Sequence, residues 1–152
     1  MSKPVAEQRR QTTGPHLIPG LFVWAALLGA GTCAAEQSMP TVSINDSTYN
    51  LELADSPAAK RLLEMLPLEL NLTELNGNEK YGALPQSLPV ERFKPGTIHA
   101  GDVLLWQDDT LVIFYETFNS GYSYTALGKI SDPDRLKAQI APLGKLKIGI
   151  RP

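Results

Sequence analysis

The chain has 152 residues, the length of one domain, and its 43% apolar and 20% charged residues are ordinary fractions for a globular protein. Its 14 basic and 16 acidic side chains give a net charge of −2. That excludes the cationic surface which unspecific binding to nucleic acid or anionic membrane needs.

Three kinds of sequence open the chain in order. Residues 1–16 are polar, with Lys3, Arg9 and Arg10 set against the single acid Glu7. Residues 17–35 carry no charge and are most apolar over residues 21–28; the small residues Gly29 to Ala35 follow, with Cys33 among them. Basic, then apolar, then small is the secretory order. Residues 1–35 are therefore expected to be a signal peptide cut after Ala34 or Ala35, leaving residues 36–152 as an exported, periplasmic or secreted domain. An uncleaved membrane anchor over residues 17–35 is the alternative, opposed by the helix-weakening Pro19, Gly20 and Gly29. Lipid attachment at Cys33 meets Ala30 where an aliphatic residue such as leucine is wanted. Arg9-Arg10 resembles a twin-arginine export signal, but the polar Gln11-Thr12-Thr13 follows the pair.

Removing Lys3, Arg9, Arg10 and Glu7 from the totals leaves 11 basic and 15 acidic side chains, a net of −4. The 117 residues that remain contain no cysteine, and with it no disulfide, thiol nucleophile or cysteine-bound metal.

The domain begins with Thr41–Ile44 and residues 48–53, short strands separated by the turn formers Asn45-Asp46-Ser47. Tyr49, Leu51 and Leu53 alternate with Asn50 and Glu52, so one face is buried. A helix over residues 56–66 comes next. Ser56 suits the cap and Pro57 the first helical position, while Ala59, Leu62, Leu63 and Leu66 form one apolar stripe. After Pro67, Leu68, Leu70 and Leu72 alternate with polar residues as a strand does. Residues 74–102 show no sustained period and contain Asn76-Gly77, Pro85, Pro89 and Pro95-Gly96, the composition of a long functional loop. Residues 103–106 and 111–115 are apolar strands joined by the hairpin signal at residues 107–110, and Thr125–Ile130 is another strand. Asp132-Pro133 starts a second short helix with Leu136, Ile140 and Leu143 on one side. Leu146, Ile148 and Ile150 alternate to the end. Seven or eight short strands with two short helices favour a barrel or sandwich over a parallel α/β sheet.

Three segments carry a family likeness: residues 75–81 (Leu-Asn-Gly-Asn-Glu-Lys-Tyr), residues 95–102 (Pro-Gly-Thr-Ile-His-Ala-Gly-Asp), and Phe114-Tyr115 through residues 122–130 (Tyr-Ser-Tyr-Thr-Ala-Leu-Gly-Lys-Ile). With Leu84-Pro85 and Leu88-Pro89 between them, they resemble a bacterial cyclophilin-like domain family over residues 40–150. The resemblance implies a mainly β fold: a closed antiparallel β-barrel of about eight strands with two short capping helices. It brings no settled activity. The distant relatives, true cyclophilins, are peptidyl-prolyl isomerases that set an arginine beside an apolar proline pocket. Of Arg61, Arg92, Arg135 and Arg151, only Arg92, near Phe93, lies in an irregular stretch, and no catalytic residue carries over.

Candidate chemistry is sparse. His99 beside Asp102 has the residue types of a general base and its orienter, but no nucleophile accompanies them, and a polar loop side chain accounts for it as well. No metal-ligand spacing appears and no cofactor is implied. Asn76-Gly77-Asn78-Glu79 reads as a turn or as a set of groups offered to a ligand. Phe118, Tyr122 and Tyr124 surround Asn119-Ser120-Gly121 and suit either a binding surface or barrel filling. The working expectation is a binding module for a small molecule or peptide, with Asn78, Glu79, Tyr81, His99, Phe118, Tyr122 and Tyr124 as ligand-binding residues on loops 74–102 and 116–126. A prolyl isomerase, or a domain that mainly contacts protein partners through a broad apolar patch, are the rivals. Contact with nucleic acid is not expected, and contact with membrane only through an uncleaved N-terminal segment.

Overall fold

A computed structural model describes residues 39–152. The signal-peptide, anchor and lipid readings fall on residues outside that range.

Eight antiparallel strands close into a barrel. In chain order the elements are β1 (Thr41–Ile44), β2 (Ser47–Leu53), α1 (Pro57–Glu64), β3 (Leu68–Leu75), β4 (Glu79–Ala83), β5 (Gly96–Ile98), β6 (Asp102–Trp106), β7 (Thr110–Phe114), β8 (Phe118–Ser120), β9 (Thr125–Ile130), α2 (Pro133–Ile140) and β10 (Lys145–Arg151). Around the barrel the order is β1, β10, β3, β4, β7, β6, β9, β2, so both edges meet and no ladder is left open. The first pair is a hairpin, with Val42 opposite Tyr49 and Ile44 opposite Ser47. The side chains of Ile44, Tyr49, Leu51, Leu72, Leu105, Leu111, Ile113, Leu127 and Ile148 fill the interior and are almost fully buried. Each such aliphatic side chain contributes roughly 1.5–3 kcal/mol by leaving water.

The two helices close the ends. Ser56 is the cap of α1: its Oγ accepts from the Ala59 N–H at 3.1 Å and donates to the Ala126 carbonyl at 2.7 Å, tying the helix to β9. Ala58, Ala59 and Leu62 are the buried stripe. Ser56→Ala is expected to cost about 1–2 kcal/mol, read as a lower urea midpoint with an unchanged slope. On α2, Leu136 and Ile140 are buried. Gln139 accepts from the Tyr49 hydroxyl and donates to the Ile44 carbonyl at 2.8 Å, and Arg135 stacks on Tyr49 at 4.7 Å. Asp132 precedes α2 with φ 53° and makes no side-chain cap bond, in contrast to Ser56.

The expected irregular stretch over residues 74–102 is a correction. β3 continues to Leu75, Asn76 and Gly77 turn the chain with φ 56° and 69°, and β4 returns, Leu75 facing Glu79. Irregular backbone remains at residues 84–95, where Phe93 makes an isolated bridge to Tyr124, and in the short turn at residues 99–101 between β5 and β6. β4 shows no apolar alternation because its inward residues are Lys80 and Gly82, both buried. Gly82 sits where a Cβ would lie 2.5 Å from the Asn71 carbonyl oxygen. Lys80 reaches Glu74, the Leu143 carbonyl and the face of Tyr115, whose hydroxyl also donates to Glu74 at 2.9 Å. One end of the barrel is therefore filled by a polar cluster instead of hydrocarbon.

Residues 118–120, expected within a loop, form β8 and pair with β5 as a small ribbon. This ribbon lies on the outer face of β6 and β7. Ile98, Leu104, Val112, Phe114 and Tyr124 make a second core there, with Trp106 and Phe118 against it. β6 and β7 are thus covered on both sides, which explains their unbroken apolar runs.

Candidate functional site

The second core leaves a cleft of about 530 Å³ beside it, on the outside of the barrel. Its floor is a row of outward side chains from adjacent strands: Glu79 and Tyr81 of β4, Thr110 and Val112 of β7, and Trp106 of β6. Glu79 faces Phe114 and Tyr81 faces Val112 across the β4–β7 ladder, which fixes their spacing. The far wall is the end of β8 and the turn after it, Phe118 to Tyr122, and the Asn76–Asn78 turn closes one end.

Aromatic contacts hold the wall in place. Trp106 meets Tyr122 edge-on at 5.5 Å and Tyr124 at 5.5 Å; Phe114 meets Tyr124 edge-on at 5.7 Å and Phe118 at 5.7 Å. Such pairs each add about 0.5–1.5 kcal/mol beyond area burial. Tyr124 also exchanges two backbone hydrogen bonds with Phe93, at 2.8 and 3.0 Å. Burial pushes the Tyr124 phenol up, with a hydrogen bond to Ser120 opposing, so it stays neutral in ordinary buffers. Tyr122, by contrast, is 65% exposed at the rim.

Six of the seven residues expected to bind a ligand line this cleft: Asn78, Glu79, Tyr81, Phe118, Tyr122 and Tyr124. Glu79 and Tyr81 are on β4, Asn78 is in the turn before it, Phe118 is on the β8 ribbon, and Tyr122 and Tyr124 lie in the segment between β8 and β9. Tyr122 lies exposed at the rim, and Tyr124 packs in the second core outside the barrel interior. Asn76 and Gly77 make the turn, and Asn78 and Glu79 line the cleft.

His99 does not line the cleft, which corrects its grouping with the other six. Its backbone N–H donates to Asp102 at 2.8 Å, and its ring lies 3.8 Å from the same carboxylate, mostly exposed. Asp102 is engaged in holding the loop before β6, which is the polar-loop reading. A second, shallower cleft of about 410 Å³ lies beside Phe93, Leu104 and Gly128. Of the arginines among the described residues, Arg61, Arg92, Arg135 and Arg151, none lines either cleft. Arg61 bonds Glu64 and Gln86, Arg135 covers Tyr49, Arg151 lies on Glu69, and Arg92 is exposed.

Trp106, Thr110 and Val112 were not singled out by the sequence. The signal for them is that β7 is apolar at every position after Thr110: a strand buried on both faces must have a cover, and the outward residue at its open margin is available to a ligand. Glu79 is half-buried, and burial, then the nearby Glu74, raises its carboxyl above the ordinary value. Among the described residues no group of three or more His, Asp or Glu side chains comes together as a metal site, and no helix is long and apolar enough to cross a membrane.

In solved structures the chain is similar to McbB, described in complex with tryptophan, with a TM-score of 0.56 and 13% identity over 74% of this chain and 44% of McbB, so it spans less than half of that protein. It is also similar to the hypothetical protein AF2241 from Archaeoglobus fulgidus, with a TM-score of 0.48 and 14% identity over 74% of this chain and 93% of that one. No curated protein sequence matches. The profile of the cyclophilin-like family matches residues 42–151, from the first strand of the barrel to its last. The chain belongs to the cyclophilin-like family.

Proposed function

We propose that this protein is an exported binding module that holds a small molecule, or one side chain of a peptide, in the cleft outside the barrel. The observation that carries the reading is a concave site of about 530 Å³ walled by Tyr81, Trp106, Phe118, Tyr122 and Tyr124, with Asn78, Glu79 and Thr110 as polar groups among them. Apolar walls with a few placed polar groups are what a small-ligand site consists of. The likeness to McbB is one of fold; its complex with tryptophan supports testing small aromatic molecules first. Export is supported by the basic, apolar and small order of residues 1–35. For the isomerase reading no observation speaks: the arginines lie away from the aromatic cleft.

The chain has two tryptophans, Trp24 and Trp106. In the full chain carrying Trp24→Phe, Trp106 is the sole indole emitter, so ligands entering the cleft change its fluorescence. A screen of small aromatic compounds is expected to return binders whose affinity falls about 3- to 10-fold in Tyr122→Ala, the loss of one aromatic contact. The urea midpoint should fall by no more than the loss of the Trp106–Tyr122 ring contact, about 0.5–1.5 kcal/mol, so the domain stays folded. Unchanged affinity in Tyr122→Ala for every compound found would sink the cleft as the site.

A further inference from the structure

We infer that the cleft selects an organic cation, a protonated amine or quaternary ammonium carried on an apolar or aromatic body. This rests on the cleft being the binding site and adds the charge of what it takes. Among the described residues lining the cleft, Glu79 supplies the one formal charge, and no lysine, arginine or histidine is present. Its carboxylate makes no hydrogen bond and no ion pair within the described residues. The basic residue next to it in sequence cannot serve: Lys80 points through the wall into the barrel and is held there by Glu74 and the Leu143 carbonyl. Glu74 itself, a second carboxylate behind the floor, adds repulsion to the cost of burying Glu79. Asn78 lines the cleft one residue before, and its Oδ1 is buried without a donor. The one anionic group of the cleft therefore lacks a donor.

The surroundings suit a cation. A protonated amine beside Glu79 gains a charge-assisted hydrogen bond, a quaternary ammonium gains the Coulomb attraction alone, and the rings of Tyr81, Trp106 and Tyr122 in the lining attract either cation through the ring quadrupole. An anionic ligand meets Glu79 with no positive group to hold it. A neutral alcohol gains ring contacts and a hydrogen bond to Glu79, without the attraction between opposite charges. A bare divalent metal finds one carboxylate where several oxygen ligands are needed.

Four probes of one shape separate these cases by calorimetry on the full chain: 2-phenylethylamine, benzyltrimethylammonium, 2-phenylethanol and 3-phenylpropionate. Both cations are expected to bind at least 10-fold more tightly than the alcohol, and the carboxylate least. Glu79→Gln should bring amine and alcohol to within about 3-fold of each other, chiefly by weakening the amine. It should also raise the thermal midpoint, since it removes an unneutralised carboxylate from a half-buried site. Alcohol or carboxylate binding as tightly as the amine overturns the cation inference while the cleft stands. So does an amine preference that survives Glu79→Gln. Binding by none of the four overturns it too, and the cleft is then judged separately by Tyr122→Ala against the screened aromatic compounds.

Discussion

Gly128→Ala is expected to cost roughly 3 kcal/mol or more, the upper part of what overpacking does in a well-filled structure. A Cβ at this position would lie 2.3 Å from the Glu52 carbonyl oxygen and 3.2 Å from the Glu52 carbonyl carbon and the Leu53 Cα. All three are backbone atoms, so no rotamer change makes room. Gly128 sits on β9 between Leu53 of β2 and Val103 of β6, beside the irregularity in the β6–β9 ladder. Because the barrel is closed, β2 cannot swing away without loosening its pairing to β1 as well. Urea unfolding measures the loss, with Gly144→Ala as control, since nothing lies within 4 Å of a Cβ there. A Gly128→Ala midpoint equal to that of the control would mean that β2 and β9 are not paired in this register.

The second large effect concerns the polar end of the barrel. Lys80→Ala is expected to cost about 3 kcal/mol, the lower part of the range for removing one partner of a buried ion pair, because the Glu74 side chain is 27% exposed and water relieves part of the penalty. Lys80→Met with Glu74→Gln keeps the volume and removes both charges, and should return to within about 1 kcal/mol of the parent. The pH dependence separates the ion pair from mere packing. Burial pushes the Glu74 carboxyl up, but hydrogen bonds from Lys80, the Tyr115 hydroxyl and the Gly77 N–H outweigh it, and the net shift is downward. A depressed folded pKa gives stability that is complete above the unfolded value, near 4.3, and is lost as pH falls through the lower folded value. Urea midpoints between pH 7 and pH 3 should therefore drop more steeply in the parent than in the double variant. Burial, followed by the Glu74 contact, drives the Tyr115 phenol in the opposite direction, so it remains a donor throughout. Parallel profiles in the two proteins would rule out the ion pair as a source of acid sensitivity.

The barrel was legible where its inner residues are hydrocarbon. Tyr49-Leu51, Leu68-Leu70-Leu72 and Leu146-Ile148-Ile150 alternate in sequence and point inward in the structure. Ser56-Pro57 marks the start of α1 and Asp132-Pro133 that of α2, each by chemistry local to the turn. The pattern failed at β4, where a charged residue and a glycine take the inward positions, so the interior is satisfied by Glu74 and Tyr115 from sequence neighbours 6 and 35 residues away. It failed again at β5 and β8, whose 3 residues each are too few to establish a period. The cleft was partly legible because Tyr81, Phe118 and Tyr122 are aromatic residues next to turn formers. Trp106 was hidden at the end of an apolar strand, where an outward position looks like any other. His99 was misplaced because nearness to Asp102 in sequence produced a loop contact and nothing more.

Alternate residues along β4 serve two unconnected tasks, one on each side of a single sheet. Lys80 and Gly82 belong to the sealed interior, while Glu79 and Tyr81 belong to the surface that meets solutes. Changes at the outward positions leave the inner packing untouched, and the turn after β8 is tied to the rest mainly through ring contacts. The lining of the outer cleft is therefore free to vary through a handful of surface substitutions while the scaffold keeps its fold.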